Sequence, residues 1–318
     1  MSEIRRIIPM QAMRGGLEDI ESSEYGGQIK FDGTAIILIK NGRKITMMGR
    51  SWKNDFASRF PRIVEEARRI MANRCVLHGE LTFYRKDNGK EEFVTALATK
   101  ETKAGYNEVL EVHDVLYIDG ISLKNESYIV RLGVAAKIVP RHLSHIRTST
   151  LVMGKDAKLR MWKEAKKQKR EGIMLKMIKG RYVEGARNRD VLKLKRIYTE
   201  DSDTADVIVA GVSNGYGARE KTFGSLILAM YDDNRDLRFV GKTSGFSDEC
   251  QMKLLKKLKA IKIAGCPLVG RIPSDVKFWV RPKVVVEIRY HDRRGSQSFR
   301  FPAFIRERPD KLPAECKE

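Results

Sequence analysis

The 318-residue sequence predicts an α+β fold in two domains. Three observations carry that expectation: β-hairpins alternating with helical stretches over the first two-thirds, a polar acidic break at residues 199–204, and a mostly β pattern after it. Two-residue turns join only antiparallel neighbours, so the first domain should hold antiparallel sheets with helices. Residues 36–39 are apolar, Asn41-Gly42 offers a turn, and residues 45–48 return, which reads as a hairpin within 27–48. Ile63, Ala67, Ile70 and Met71 follow Pro61 at helical spacing. Residues 75–84 and 91–98 read as strands joined through Asn88-Gly89, and 112–118 as another. A basic helix is expected over 157–170, then short strands at 173–177 and 191–194.

The segment Thr199-Glu200-Asp201-Ser202-Asp203-Thr204 is the expected hinge between a domain over 1–198 and one over 205–318. Beyond it, strands are expected at 206–212, 225–231, 237–242 and 283–290, with one amphipathic helix carrying Leu254, Leu255, Leu258 and Ile261. Five or so strands with one helix outline a small OB-type barrel, although strand number alone fits an SH3-like barrel equally.

Hydrophobic residues make up 42% and charged residues 32%, which is globular. Lys plus Arg number 62 against 41 Asp plus Glu, a net charge of +21. A polyanion is the expected partner of such an excess; a merely solubilising surface is the alternative. Two dense basic stripes stand out: Arg160, Lys163, Lys166, Lys167, Lys169 and Arg170, then Lys253, Lys256, Lys257, Lys259 and Lys262. Each reads equally as a phosphate grip or a solvated helix face. Residues 166–170 also resemble a nuclear signal, for which a basic helix end is the plainer reading. Cys75, Cys250, Cys266 and Cys316 form no CxxC pair, which argues against a zinc site or disulfide framework and fits a reducing compartment. No apolar run reaches membrane-span or signal-peptide length, so a cytoplasmic protein without a membrane partner is expected.

Lys30-Phe31-Asp32-Gly33 is the first chemical candidate, since a lysine fixed in a turn can act as a nucleophile once deprotonated. Alone it is weak: KxDG arises by chance in roughly one chain in ten or twenty of this length. Gly79-Glu80, His113-Asp114 and Glu171-Gly172 follow near strand ends. Lys193 and Lys195 alternate with Leu192 and Leu194, so both lysines share one face of a strand. Each has a plain reading as well: exposed strand-end carboxylates, a packed core histidine, the solvent side of an edge strand.

In order, Lys30, Arg50, Gly79-Glu80, the 112–120 stretch, Glu171-Gly172 with Lys176, and Lys193-x-Lys195 resemble the motifs of the covalent nucleotidyltransferases. Within that superfamily, residues 300–311, RFPAFIRERPDK, resemble the C-terminal signature of the ATP-dependent DNA ligases, and the likeness runs from about Pro9 to Lys311. The resemblance implies an adenylation domain followed by an OB domain. It implies that Lys30 attacks the α-phosphate of ATP to form a lysyl-AMP. Glu80 would bind the ribose, His113 would stack on adenine, and Arg50, Lys193 and Lys195 would contact nucleotide and phosphate. Glu171 would hold Mg²⁺ or Mn²⁺. Asp310 and Lys311, with Arg306 or Arg308, would orient pyrophosphate.

The implied substrate is nicked double-stranded DNA, worked on by a monomer. Larger ligases carry a further N-terminal DNA-binding domain; Lys30 stands so near the start that none is expected here. Three positions depart from the family pattern. Ala35 stands where ligases have arginine, His78 replaces the usual Asp before Gly79-Glu80, and His113 replaces a larger aromatic ring. An RNA ligase, a capping-type guanylyltransferase, and a catalytically inactive nick-binding scaffold are the rival readings.

Overall fold

The computed structural model describes residues 6–89, 91–92, 104–198, 202–294 and 298–318. The chain divides into two compact units, Met1–Lys195 and Arg196–Glu318. Of the expected hinge, residues 199–201 lie outside the described residues, as do 93–98 of the expected strand 91–98.

The first unit contains, in chain order, β1 (Met13–Arg14), β2 (Tyr25–Lys30), β3 (Thr34–Asn41), β4 (Lys44–Gly49), β5 (Arg74–Arg85), β6 (Glu91–Glu92), β7 (Tyr106–Ile118), β8 (Ile121–Ser122), β9 (Ile146–Thr148), β10 (Gly172–Met177) and β11 (Val191–Lys195). Its helices are α1 (Pro61–Ala67), α2 (Tyr128–Ile138) and α3 (Lys155–Lys167). Among the described residues they build two sheets, one ordered β1-β11-β10-β2 and one running β4-β3-β5-β7-β8. The chain leaves the first sheet at Lys30 and enters the second at Thr34, so Phe31-Asp32-Gly33 is the crossing between sheets. The nucleophile candidate therefore ends a strand of its own sheet and is not on the hairpin. Gly33 serves close approach: a Cβ there would lie 2.1 Å from the Leu81 carbonyl oxygen of β5.

The hairpin turn is displaced by one residue from the expected Asn41-Gly42. Asn41 pairs with Lys44, leaving Gly42-Arg43 as the loop, with Gly42 at φ +58. Glycine at the first central position satisfies the turn without strain. The basic helix spans Lys155–Lys167 and stops short of Arg170, with Lys169 in the left-handed region at φ +54. Its inner face buries Trp162 and Ala165 against Ile173, Leu175, Leu192 and Leu194. Lys158 on that face is fully buried, and its ammonium donates to the carbonyls of Ser22 (2.5 Å) and Tyr25 (3.0 Å), fastening the helix to β2. Burial lowers its pKa.

The second unit contains β12 (Thr204–Ser213), β13 (Leu226–Tyr231), β14 (Leu237–Thr243), α4 (Asp248–Ala260), β15 (Lys262–Ile263), β16 (Val276–Val280), β17 (Val285–Arg289), β18 (Asp292–Arg294), β19 (Ser298–Arg300) and β20 (Ala303–Glu307). β12 pairs with β13 on one side and β17 on the other; β13 pairs with β14 and β17 with β20. A bridge between Ser244 and Ala303 joins the end of β14 to the start of β20 and closes the circuit. The last strand, β20, thus lies between β14 and β17, the closure of an OB-type barrel, which decides against the SH3-like alternative. α4 is capped by Ser247, whose hydroxyl accepts from the Cys250 amide. Leu254, Leu255 and Leu258 of α4 enter the barrel core with Val209, Leu228 and Val240. No helix among the described residues is long and apolar enough to cross a membrane.

Candidate active site

β10 is the axis of the site. It pairs with β2 and β11, and its first residue, Gly172, stands opposite both Lys30 and Lys195. Gly172 has φ +144, and a Cβ there would meet the Leu194 carbonyl oxygen at 1.9 Å, so only glycine fits. That bend delivers the preceding carboxylate, Glu171, between two strand ends. Its Oε2 accepts from Lys30 Nζ at 2.5 Å and its Oε1 from Lys195 Nζ at 2.5 Å. Burial alone would raise the Glu171 pKa, but the two lysines reverse that and hold it below the usual carboxylate value. Glu171 is 4% exposed, so the exposed strand-end reading does not apply to it.

Lys193 and Lys195 share one face of β11 as their alternation requires, while Leu192 and Leu194 are buried on the other. β11 lies between β1 and β10, so it is an interior strand of its sheet. Burial first, then the charges of Lys195, Lys30 and Arg187, lowers the Lys193 pKa.

A cavity of about 490 Å³ opens over these strand ends. Lys30, Arg50, Glu80, His113, Lys193 and Lys195, expected from sequence, all line it. Sequence reasoning missed Arg187 and Gln28 as wall residues and gave Lys176 no role, yet all three line it as well. A lone loop arginine carries no sequence signal, whereas Lys176, named with the Glu171-Gly172 motif, could have been given its place on the cavity wall from its alternation with Met174 on β10. The described lining holds six cationic side chains and one acidic one, Glu80. Such a wall suits a polyanion of small-molecule size. Ala35 pairs with Glu80 in the β3–β5 ladder and lines the same cavity with only a methyl group.

His113 reaches the cavity through a β-bulge. His78 pairs with Asp114 and Gly79 with Val112, which leaves His113 without a partner on β5 and turns its ring out of the ladder. The His78 ring stands edge-on to it, centroids 4.4 Å apart, and the His78 Nδ1 lies 3.2 Å from the Tyr182 hydroxyl. Burial pushes the His78 pKa down to about 3, with Lys176 adding to the shift. Burial, then His78 and Lys176, holds His113 well below its usual value. Both imidazoles are therefore neutral at neutral pH, and His113 Nδ1 has no hydrogen-bond partner among the described residues. Beneath them, Asp114 and Arg131 form a buried two-point pair (2.7 and 3.0 Å), and Arg131 also donates to the Glu126 and Gly180 carbonyls. That clamp fixes the bulged strand against α2. Lys176 lies 5.4 Å from the Tyr128 ring centroid, and burial lowers its pKa to about 8.

Among the described residues no three His, Cys, Asp or Glu side chains cluster as a metal cage. Mg²⁺ commonly uses one carboxylate together with substrate phosphates and water; both oxygens of Glu171 are engaged by Lys30 and Lys195, so a cation held there would displace at least one of those ammonium groups. Arg306, Arg308, Asp310 and Lys311 belong to the second unit and pair within it. Arg306 donates to Glu287 (2.7 Å), Arg308 to Asp206 (2.8 Å) and Asp310 (2.8 Å), and Lys311 to Glu315 (3.3 Å). The Arg308 contact holds the Asp310 carboxyl down at about 2.

The family model for the ATP dependent DNA ligase domain matches residues 9–195, and that for the ATP dependent DNA ligase C terminal region matches 219–311. A DNA ligase 2 of Thermofilum pendens is 32% identical over 302 residues, covering 89% of this chain and 50% of its own length. A DNA ligase of Thermococcus fumicolans is 28% identical over 331 residues, covering 97% and 56%. The chain thus spans about half the length of these curated relatives. Among solved structures, the mycobacterial DNA ligase D complexed with ATP and MES superposes with a TM-score of 0.55 at 21% identity, covering 99% of both chains. A Lig E DNA ligase superposes with a TM-score of 0.58 at 16% identity, covering 94% of this chain and 98% of the other. These two likenesses concern the fold.

Proposed function

Since this chain belongs to the ATP-dependent DNA ligase family, we propose that it seals 5′-phosphate/3′-hydroxyl nicks in duplex DNA, carrying AMP on Lys30. The observation that carries the proposal is the Lys30–Glu171–Lys195 triplet at the edge of a cationic cavity.

In the first step Lys30 Nζ attacks the α-phosphorus of ATP. An N–P bond forms, the bond to the β-phosphate oxygen breaks, and pyrophosphate leaves. Glu171 Oε2, 2.5 Å from Nζ, holds the Lys30 side chain at the strand end from which it attacks once its proton is lost. Lys193, Lys195 and Arg50 offset charge on the phosphates, Glu80 holds the ribose, and His113 presents its ring to adenine. Mg²⁺ or Mn²⁺ at Glu171 supplies further neutralisation of phosphate charge when bound. A 5′-phosphate oxygen of the nick then attacks the same phosphorus, the N–P bond breaks, and AMP passes to DNA. Finally the 3′-hydroxyl attacks the 5′-phosphorus and AMP leaves, the duplex holding both ends in place. Arg306, Arg308, Asp310 and Lys311 are given the orientation of pyrophosphate on the strength of family resemblance, and residues 199–204 the hinge on their polar, acidic composition. The same reading makes the chain a cytoplasmic monomer.

The test uses α-labelled ATP, Mg²⁺ and nicked duplex, with wild type and Lys30→Ala side by side. Label should attach to wild type, be absent in the variant, and leave the protein as the nick closes. Wild type that takes no label while still binding nicks would mean an inactive scaffold.

A further inference from the structure

A second cleft, of about 320 Å³, lies beside the nucleotide cavity and shares Ile29, Phe31 and Ser149 with it. Its far wall comes from β5, β7 and β9. Glu111, buried on β7, accepts from Arg147 Nη2 at 2.5 Å and from the Tyr84 hydroxyl at 2.8 Å. The Arg147 guanidinium carbon lies 4.9 Å from the Tyr84 ring centroid. A buried carboxylate and an aromatic face therefore hold a side chain that is 46% exposed. The guanidinium has five N–H donors, of which the Glu111 contact uses one. Arg170, just past the end of α3, is the second cation of the wall.

Two hydroxyls complete it. Thr148 Oγ1 and Ser149 Oγ are buried and have no hydrogen-bond partner among the described residues, although Ser149 is only 5% exposed. Buried hydroxyls without partners are costly in a folded chain and mark a place where a ligand completes the network. Two guanidinium groups, two hydroxyls and the rings of Phe31 and Tyr84 make a contact set suited to a sugar-phosphate backbone with a base against an aromatic face. The lysyl-AMP chemistry gives no role to Arg147, Arg170 or Thr148, yet their cleft flanks Lys30 through Ile29 and Phe31.

We infer that this cleft holds a backbone phosphodiester next to the nick and so positions a strand end beside Lys30. The inference rests on the ligase reading. Arg147 and Arg170 are positioning residues that act after adenylation of the protein, so their removal should separate the steps.

The experiment uses the full chain with Arg147→Gln and, separately, Arg170→Gln, which leaves the Glu111–Arg147–Tyr84 cluster intact. Lys30 labelling from α-labelled ATP without DNA should stay within about twofold of wild type, because no nucleotide contact is lost. Single-turnover sealing of a nick already adenylated at its 5′ end should fall about tenfold or more, as expected for a lost charge-assisted phosphate contact. The salt dependence of nick binding should also weaken by about one phosphate contact. Uncharged methylphosphonate linkages, placed beside the nick on the 3′-hydroxyl strand or on the 5′-phosphate strand, identify the source. The linkage that slows wild type without slowing the variants further is the one held. Normal sealing by both variants overturns the inference, and so does an equal loss of labelling and sealing in Arg170→Gln. Wild type that never labels on Lys30 overturns the ligase reading itself.

Discussion

Acidification should destabilise the first unit through the paired imidazoles, and His78 sets the size of the effect. In the folded chain His78 titrates at about 3; in the unfolded chain it titrates near the ordinary value of 6.5. Between those values the unfolded state binds the extra proton, so stability rises with pH there. The contribution is complete above 6.5 and is lost progressively as pH falls toward 3. At about 1.36 kcal/mol per pH unit, His78 alone should cost the fold about 2 kcal/mol by pH 5. The His113 shift has the same sign and adds to it. Urea unfolding at pH 7 and pH 5 measures this, read by fluorescence in a Trp279→Phe background so that Trp52 and Trp162 report on the first unit alone. His78→Gln removes the titration and keeps an amide near the Tyr182 hydroxyl. Its loss of stability between the two pH values should be smaller than that of wild type by about 2 kcal/mol. Equal losses in the two proteins would refute the burial argument.

Two other perturbations probe the active site. In a Lys30→Ala background that cannot react, His113→Phe should tighten ATP binding by about three- to tenfold, since a larger apolar ring replaces an imidazole whose Nδ1 lacks a partner; an unchanged Kd by calorimetry would remove His113 from the adenine contact. Gly172→Ala should slow Lys30 labelling by about a hundredfold, because the new Cβ meets the Leu194 carbonyl and must displace Glu171. Gly133→Ala on α2, where nothing lies within 4 Å of the added carbon, is the matched control and should label at the wild-type rate.

Short-range periodicity determined a good deal of this protein before any coordinates. Alternation of Lys193 and Lys195 with Leu192 and Leu194 put both cations on one face, and the 3.6-residue spacing of Leu254, Leu255 and Leu258 marked the barrel helix. These patterns are local, since burial on one side of a strand or helix dictates them residue by residue. The ordered motifs likewise named Lys30, Glu80 and Glu171. Tertiary structure decided what depends on pairing between distant segments. Glu171 reaches Lys30 and Lys195 only because Gly172 stands opposite both in the sheet. His113 leaves the ladder at a bulge that the composition of β7 does not announce. Gly33 tolerates no side chain because Leu81, forty-eight residues away, brings its carbonyl within 2.1 Å of the Cβ position. Arg187, Arg147 and the orphaned hydroxyls of Thr148 and Ser149 stand in no motif and no periodic pattern, so only the fold brings them to a cleft. Register, bulges and close backbone approach are set by contacts far along the chain, and one sequence read by itself carries almost no trace of them.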